Sequence, residues 1–255
     1  MPDHTKLEVC VDSIESAIAS DRGGADRIEL CSCLAEGGVT PSPGVIATVL
    51  DQVALGVFVM IRPRTGDFCY SSAEFRAMEQ DILAAKQQGA DGVVFGIVLE
   101  DGRIDVARTQ RLIEIARPLK VTFHRAFDAS RDLSEALEDL VRAGVDRVLT
   151  SGGEQNVDLG RSKIADLNRQ AGGRIVVMPG GGITEKNVRQ LLSETGAREI
   201  HASLRTAVPS PMNHRNERIA MSEIQERDHQ RFVVLEGRVR AFLALFSSSD
   251  WGSNR

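Results

Sequence analysis

The chain has little that points to nucleic acid, to a membrane or to an oxidising compartment. Its Lys and Arg residues are dispersed and its formal charge is only -5, so no basic stripe marks a nucleic-acid surface. No uninterrupted apolar run approaches the roughly 18 residues of a spanning helix. The opening Met1-Pro2-Asp3-His4-Thr5-Lys6 lacks the apolar stretch of a secretory signal. A cytoplasmic protein with neither a membrane nor a nucleic-acid partner is expected. Four cysteines in 255 residues do not make a disulfide framework and point to free thiols or metal ligands. What is present is apolar content, 42%, enough for a full core in one α/β domain of this length.

The stretch from Leu7 to Cys33 organises the rest. Two short runs alternate, with Leu7, Val9, Val11, Ile28 and Leu30 on one face and Glu8, Cys10, Asp12, Glu29, Cys31 and Cys33 on the other. Between them lie an N-cap candidate, Asp12, a helical pattern and a stop at Gly24. A strand, helix, strand unit makes its strands parallel neighbours. Two carboxylates and two thiols then stand side by side, facing away from the helix layer.

The motif Gly24-Ala25-Asp26 returns as Gly89-Ala90-Asp91, Gly144-Val145-Asp146 and Gly196-Ala197-Arg198, an internal repeat whose spacing suits two strands and two helices. Counting both strands of each repeat places eight, near 7–11, 27–31, 57–62, 92–97, 120–124, 146–150, 174–178 and 198–202. This predicts a single (β/α)8 TIM-type barrel over 1–255, with an open doubly wound sheet as the alternative. Helices are expected after Ser71, where Ser71 and Glu74 form a capping box, after Thr184, and over Gln230 to Phe246, ahead of a loose polar tail at 247–255. The loops Ser32 to Pro43, Pro63 to Ser71 and Ser203 to Met221 can form a lid.

Three groups of residues carry candidate chemistry. Cys10 and Cys31 end neighbouring strands about 4.8 Å apart and suit a soft monovalent metal, Cu(I), or else pack as small hydrophobes in separate layers. Cys33 is a third ligand or a loop thiol; Cys69, between Phe68 and Tyr70, belongs to packing or a lid. Aligning the repeats by glycine sets His201 level with Glu29, so Glu8, Glu29, Arg62, His124 and His201 can meet in the barrel mouth. There they serve either as general acid and base or as a buried ionic network in which Arg62 satisfies Glu8 or Glu29. Gly180, Gly181 and Gly182, ahead of a helix N-terminus, offer an anion site shared with Ser203 and Arg205 beyond strand eight, or simply a tight turn.

Several long segments, read together, resemble the CutC family of copper homeostasis proteins. They include Leu7-Glu8-Val9-Cys10-Val11-Asp12-Ser13, Ile28-Glu29-Leu30-Cys31, Glu36-Gly37-Gly38-Val39-Thr40-Pro41-Ser42, Ile61-Arg62-Pro63-Arg64, Phe123-His124-Arg125-Ala126-Phe127-Asp128 and Met178-Pro179-Gly180-Gly181-Gly182-Ile183. The resemblance runs from about Leu7 to Ser222, with Cys33 and Leu204 departing from the pattern. It implies a TIM-type barrel, a cytoplasmic homo-oligomer, commonly a dimer, and Cu(I) at Cys10 and Cys31. Arg62, His124 and the glycines do not form a copper site as a set, because guanidinium does not ligate. That leaves a second reading: an enzyme acting on a small anionic or phosphorylated compound. In it Glu8 or Glu29 and His124 are acid and base, and Gly181, Gly182 and Ser203, aided by Arg62, hold the anion.

Overall fold

A computed structural model describes residues 5–216, 218–219 and 229–246; the expected tail at 247–255 lies outside them. Eight parallel strands alternate with helices along the chain. They are β1 (Lys6–Val11), β2 (Arg27–Leu30), β3 (Gly56–Met60), β4 (Gly92–Phe95), β5 (Lys120–Phe123), β6 (Arg147–Thr150), β7 (Val176–Pro179) and β8 (Glu199–Ala202). The sheet runs in order from β7 back to β1 and then β8, and a parallel bridge from Gly180 to His201 closes it. The barrel, not the open sheet, is therefore the fold. Outside it lie α1 (Ile14–Gly23), α2 (Pro43–Gln52), α3 (Ser72–Gln88), α4 (Val106–Ala116), α5 (Leu133–Ala143), α6 (Val157–Ala171) and α7 (Val188–Thr195).

The repeat has a physical cause. The helix of each repeat, α1, α3, α5 and α7, ends on a glycine in the left-handed region, with φ of 91° at Gly24, 93° at Gly89, 85° at Gly144 and 64° at Gly196, a conformation that L side chains pay for sterically. The aspartate two residues on then accepts from the first free N–H of the preceding odd-numbered strand. Asp26 takes Leu7 N–H at 2.8 Å, Asp91 takes Val57 N–H at 2.8 Å, and Asp146 takes Val121 N–H at 3.0 Å. In the fourth copy Arg198 stands in the aspartate's place; its backbone carbonyl takes Lys6 N–H at 2.9 Å, as the Asp91 carbonyl takes Lys120 N–H at 3.1 Å.

Alternation along the strands divides the core. Leu7, Val9, Val11, Ile28 and Leu30 are buried against the helix layer, whereas Cys10 and Cys31 pack inside with Phe58, Met60 and Val94. The helix after Ser71 begins with the expected capping box. The one after Thr184 starts only at Val188, because Asn187 accepts from Thr184 N–H and holds 183–187 as a turn. The expected helix over Gln230 to Phe246 is corrected. Its first part is a strand, β10 (Gln230–Val234), antiparallel to β9 (Arg205–Pro209) from within the expected third lid loop, and only Glu236–Leu243 is helical, α8. The β-branched and aromatic run Phe232-Val233-Val234 suits a ladder, and Val234 N–H donates to Ser16 Oγ at 3.1 Å, fastening the hairpin to α1. No helix of the described residues is long and apolar enough to cross a membrane.

A Cβ on Gly89 meets nothing within 4 Å, so Gly89→Ala should cost only the left-handed backbone penalty, about 1–2 kcal/mol. At Gly92 the same atom would lie 2.3 Å from the Phe58 ring, so Gly92→Ala should cost clearly more. Urea unfolding of both variants checks the order.

Candidate functional site

The barrel interior is filled by stacked polar layers. In the register of β1 with β2, Glu8 pairs with Arg27 and Cys10 with Glu29, so inward residues of the two strands stand opposite one another. The deeper layer is an ion network. Arg27 Nε donates to Glu8 Oε2 at 2.5 Å and its Nη2 to Glu199 Oε2 at 2.6 Å; Arg147 Nε reaches the same Glu199 oxygen at 2.6 Å. Both guanidiniums lie over the Phe58 ring, at 5.5 and 5.4 Å. Burial alone would raise the pKa of Glu8, but the Arg27 charge and the His201 hydrogen bond hold it below the ordinary carboxylate range.

The layer above holds the thiols. Cys10 Sγ donates to Glu29 Oε2 at 3.0 Å, Cys31 Sγ lies 3.5 Å from the same oxygen, and the two sulfurs are 4.0 Å apart. That is twice a disulfide bond, so both thiols are free. It is also within the span of about 4.6 Å that two metal–sulfur bonds of about 2.3 Å allow. His201 links the layers: its Nδ1 is 2.7 Å from Glu8 Oε1 and its Nε2 3.8 Å from Glu29 Oε2. Among the described residues two sets therefore have ligand atoms close enough for one ion, Cys10 with Glu29 and Cys31, and Glu8 with Glu29 and His201.

The electrostatics follow from burial. Cys31 is pushed up to about 12 by burial, with the Glu29 charge adding to it. Cys10 is raised by its hydrogen bond with Cys31 and then by burial. Burial also raises Glu29. It would lower His201, yet the Glu29 charge and the hydrogen bonds to Cys10 and Glu8 raise that imidazole well above its ordinary value. Cys33 is exposed at the start of a short 3₁₀ turn and belongs to neither set. Cys69 donates to Val98 O at 3.0 Å, a packing role.

Arg62 and His124 belong to neither set. Arg62 does not satisfy Glu8 or Glu29, as one expectation had it; that task falls to Arg27. Its own donors go to backbone carbonyls, Nη1 to Glu36 O and Gly38 O at 3.1 and 2.8 Å and Nη2 to Gly66 O at 2.8 Å, because the loops after β2 and β3 close over it. Phe68 lies against both Arg62, at 5.1 Å, and the His124 ring, at 5.0 Å. Burial, then the Arg62 charge, holds the His124 imidazole down to about 3, so it is neutral.

At the glycine run, Gly180 is buried in the barrel seam, while Gly182 and Ser203 are exposed. The turn 183–187 separates the glycines from the α7 N-terminus. The cation beside Gly181 is Arg125, itself held by Asp128 and Ser151; Arg205 lies 3.9 Å from Asp12.

Arg27, Arg147 and Glu199 were not among the candidate residues read from the sequence. A signal existed: Asp26-Arg27 and Asp146-Arg147 occupy the same place in the repeat, and Arg27 shares the inward face of Glu29 and Cys31.

The model of the family described as CutC matches residues 5–206. The chain belongs to the CutC family. A human relative named "Copper homeostasis protein cutC homolog" is 55% identical over 215 residues, 84% of this chain and 79% of that protein. A CutC family protein of Bacteroides thetaiotaomicron is 44% identical over 236 residues, 92% of this chain and 95% of its own. The crystal structure of a Streptococcus agalactiae protein, titled a putative copper homeostasis protein CutC, superposes with a TM-score of 0.74 at 34% identity, covering 78% of this chain and 98% of that one. The thiol pair, Glu29 and His201 all lie within the part of this CutC chain that the family model matches.

The neutral His124 makes a pH prediction. A histidine held down to about 3 in the fold but near 6.5 when unfolded binds its proton only in the unfolded state between those values. Stability should therefore rise with pH across 4 to 6, and His124→Gln should remove about 1.4 kcal/mol per pH unit of that slope. Urea unfolding at several pH values measures it; equal slopes would contradict it.

Proposed function

We propose that this chain handles copper in the cytoplasm by binding Cu(I) as cargo through Cys10 and Cys31. One observation carries this reading: two buried, free sulfurs 4.0 Å apart, within reach of one ion. Soft thiolates select Cu(I) over hard cations, and the copper homeostasis names of the human and streptococcal relatives agree. Glu29 Oε2 lies close to both sulfurs and is placed to take up thiol protons as the metal enters. The same family resemblance supports a homodimer as the working form. An anaerobic Cu(I) titration against a competing chelator tests the site. The Cys10→Ser, Cys31→Ser double variant should lose at least about a hundredfold in affinity, since metal sites depend on their ligands at the level of several kcal/mol. Unchanged affinity would remove the reading.

The pH dependence has a definite sign. Both thiols are raised, so both are protonated at neutral pH, and the metal takes the thiolate. Binding then displaces two protons from sulfur, and affinity should increase between about tenfold per pH unit, where Glu29 keeps one of them, and about a hundredfold, where both reach solvent, between pH 6 and 8 after correction for the chelator. A flat profile would show that the sulfurs are not the ligands.

A further inference from the structure

A second cluster, at the ends of β3 and β5, is not used by the copper reading. Arg62, Tyr70 and His124 are only 5%, 6% and 4% exposed. Arg62 is a buried, permanently charged group whose hydrogen bonds all go to neutral carbonyls, and among the described residues no carboxylate pairs with it. Burying an unpaired charge is costly, and proteins meet that cost with a counter-ion. Three polar atoms of this group are also buried without a hydrogen-bond partner: Arg62 Nε, Tyr70 Oη and His124 Nε2.

The three share a chemistry. Ala126 N–H donates to His124 Nδ1 at 3.1 Å, so that nitrogen is the acceptor and the neutral ring carries its hydrogen on Nε2. Arg62 Nε is a donor by nature, and the Tyr70 hydroxyl, beside the Arg62 charge, can donate as well. Phe68, half-buried, packs on both Arg62 and His124 and is the apolar wall of the group. Two obligate donors and a hydroxyl free to donate, around one net positive charge, suit an acceptor-only partner of charge near -1.

We propose that Arg62, Tyr70 and His124 bind the oxyanion group of a small molecule, a carboxylate or a phosphate, beside Phe68 in the mouth of the barrel. The two outer nitrogens of Arg62 are already committed to the loops after β2 and β3, so the ion is held through Nε, with the tyrosine hydroxyl and the imidazole N–H completing its shell. The fixed guanidinium, tied to Glu36, Gly38 and Gly66 carbonyls, ties occupancy of this site to the order of both loops. The site does not depend on the thiols, and its failure would leave the copper reading untouched.

Calorimetric titration of the full chain with inorganic phosphate, and separately with acetate and pyruvate, tests this. At least one probe should saturate a single site, and the 15N resonance of His124 Nε2 should shift in step with it. Tyr70→Phe removes one hydroxyl and should weaken binding about tenfold, the loss of one charge-assisted hydrogen bond, with an unchanged unfolding midpoint. Arg62→Met should abolish binding, and Cys10→Ser, Cys31→Ser should retain it. Saturation by phosphate alone or by a carboxylate alone identifies the source of the oxyanion; either supports the site. No saturable binding by any probe up to tens of millimolar would overturn the proposal. So would equal affinity in Tyr70→Phe, or a crystal grown in phosphate with only water on the three atoms.

Discussion

The barrel interior depends on the charge network of Glu8, Arg27, Glu199 and Arg147. Four ionised groups are taken out of water in the middle of the fold, and the arrangement holds because each carboxylate meets a guanidinium at 2.5 to 2.6 Å. Removing one partner of such a set leaves an uncompensated charge, typically a loss of about 3–5 kcal/mol, so the four residues stand or fall together. They also come from β1, β2, β6 and β8, which ties the two sides of the barrel across its axis.

The thiol layer inherits its geometry from that network. Arg27 holds Glu8 charged, Glu8 grips Nδ1 of His201, and the ring is left with Nε2 turned towards Glu29. A carboxylate that orients an imidazole from behind is the usual support of a metal-binding or proton-handling site. The seam where β7 meets β8, bridged only from Gly180 to His201, lies at this same point. Barrel closure and the position of His201 are one structural event.

The interior thus separates into two chemistries. Around Cys10 and Cys31 burial raises acidic groups and keeps protons on sulfur, which suits exchange of protons for a soft cation. Around Arg62 and His124 the net charge is positive and the free groups are donors, which suits an anion. Of Glu8, Glu29, Arg62, His124 and His201, the two glutamates and His201 bring ligand atoms within reach of one ion, while Arg62 and His124 meet around Phe68. Arg62 and His124 lie just beyond the ends of β3 and β5 with Phe68 between them, and the other three on β1, β2 and β8.

The strand count, the barrel and the inward facing of Glu8, Cys10, Glu29 and Cys31 were legible in the amino-acid order, because each rests on a local rule. A period of two sets the face, and a left-handed glycine followed by an aspartate ends a helix and caps a strand three times over. Other features were not legible for an equally physical reason: they depend on which distant segments meet. Whether Gln230 to Val234 is helix or strand was decided by the free edge of Arg205–Pro209 beside it. Arg27 rather than Arg62 neutralises Glu8 because strand register, a property of paired chains, sets those two side chains opposite each other. By itself the sequence determined that two thiols and two carboxylates share a face. Only the closed barrel, by staggering neighbouring strands, decided that the sulfurs stand 4.0 Å apart with His201 beside them.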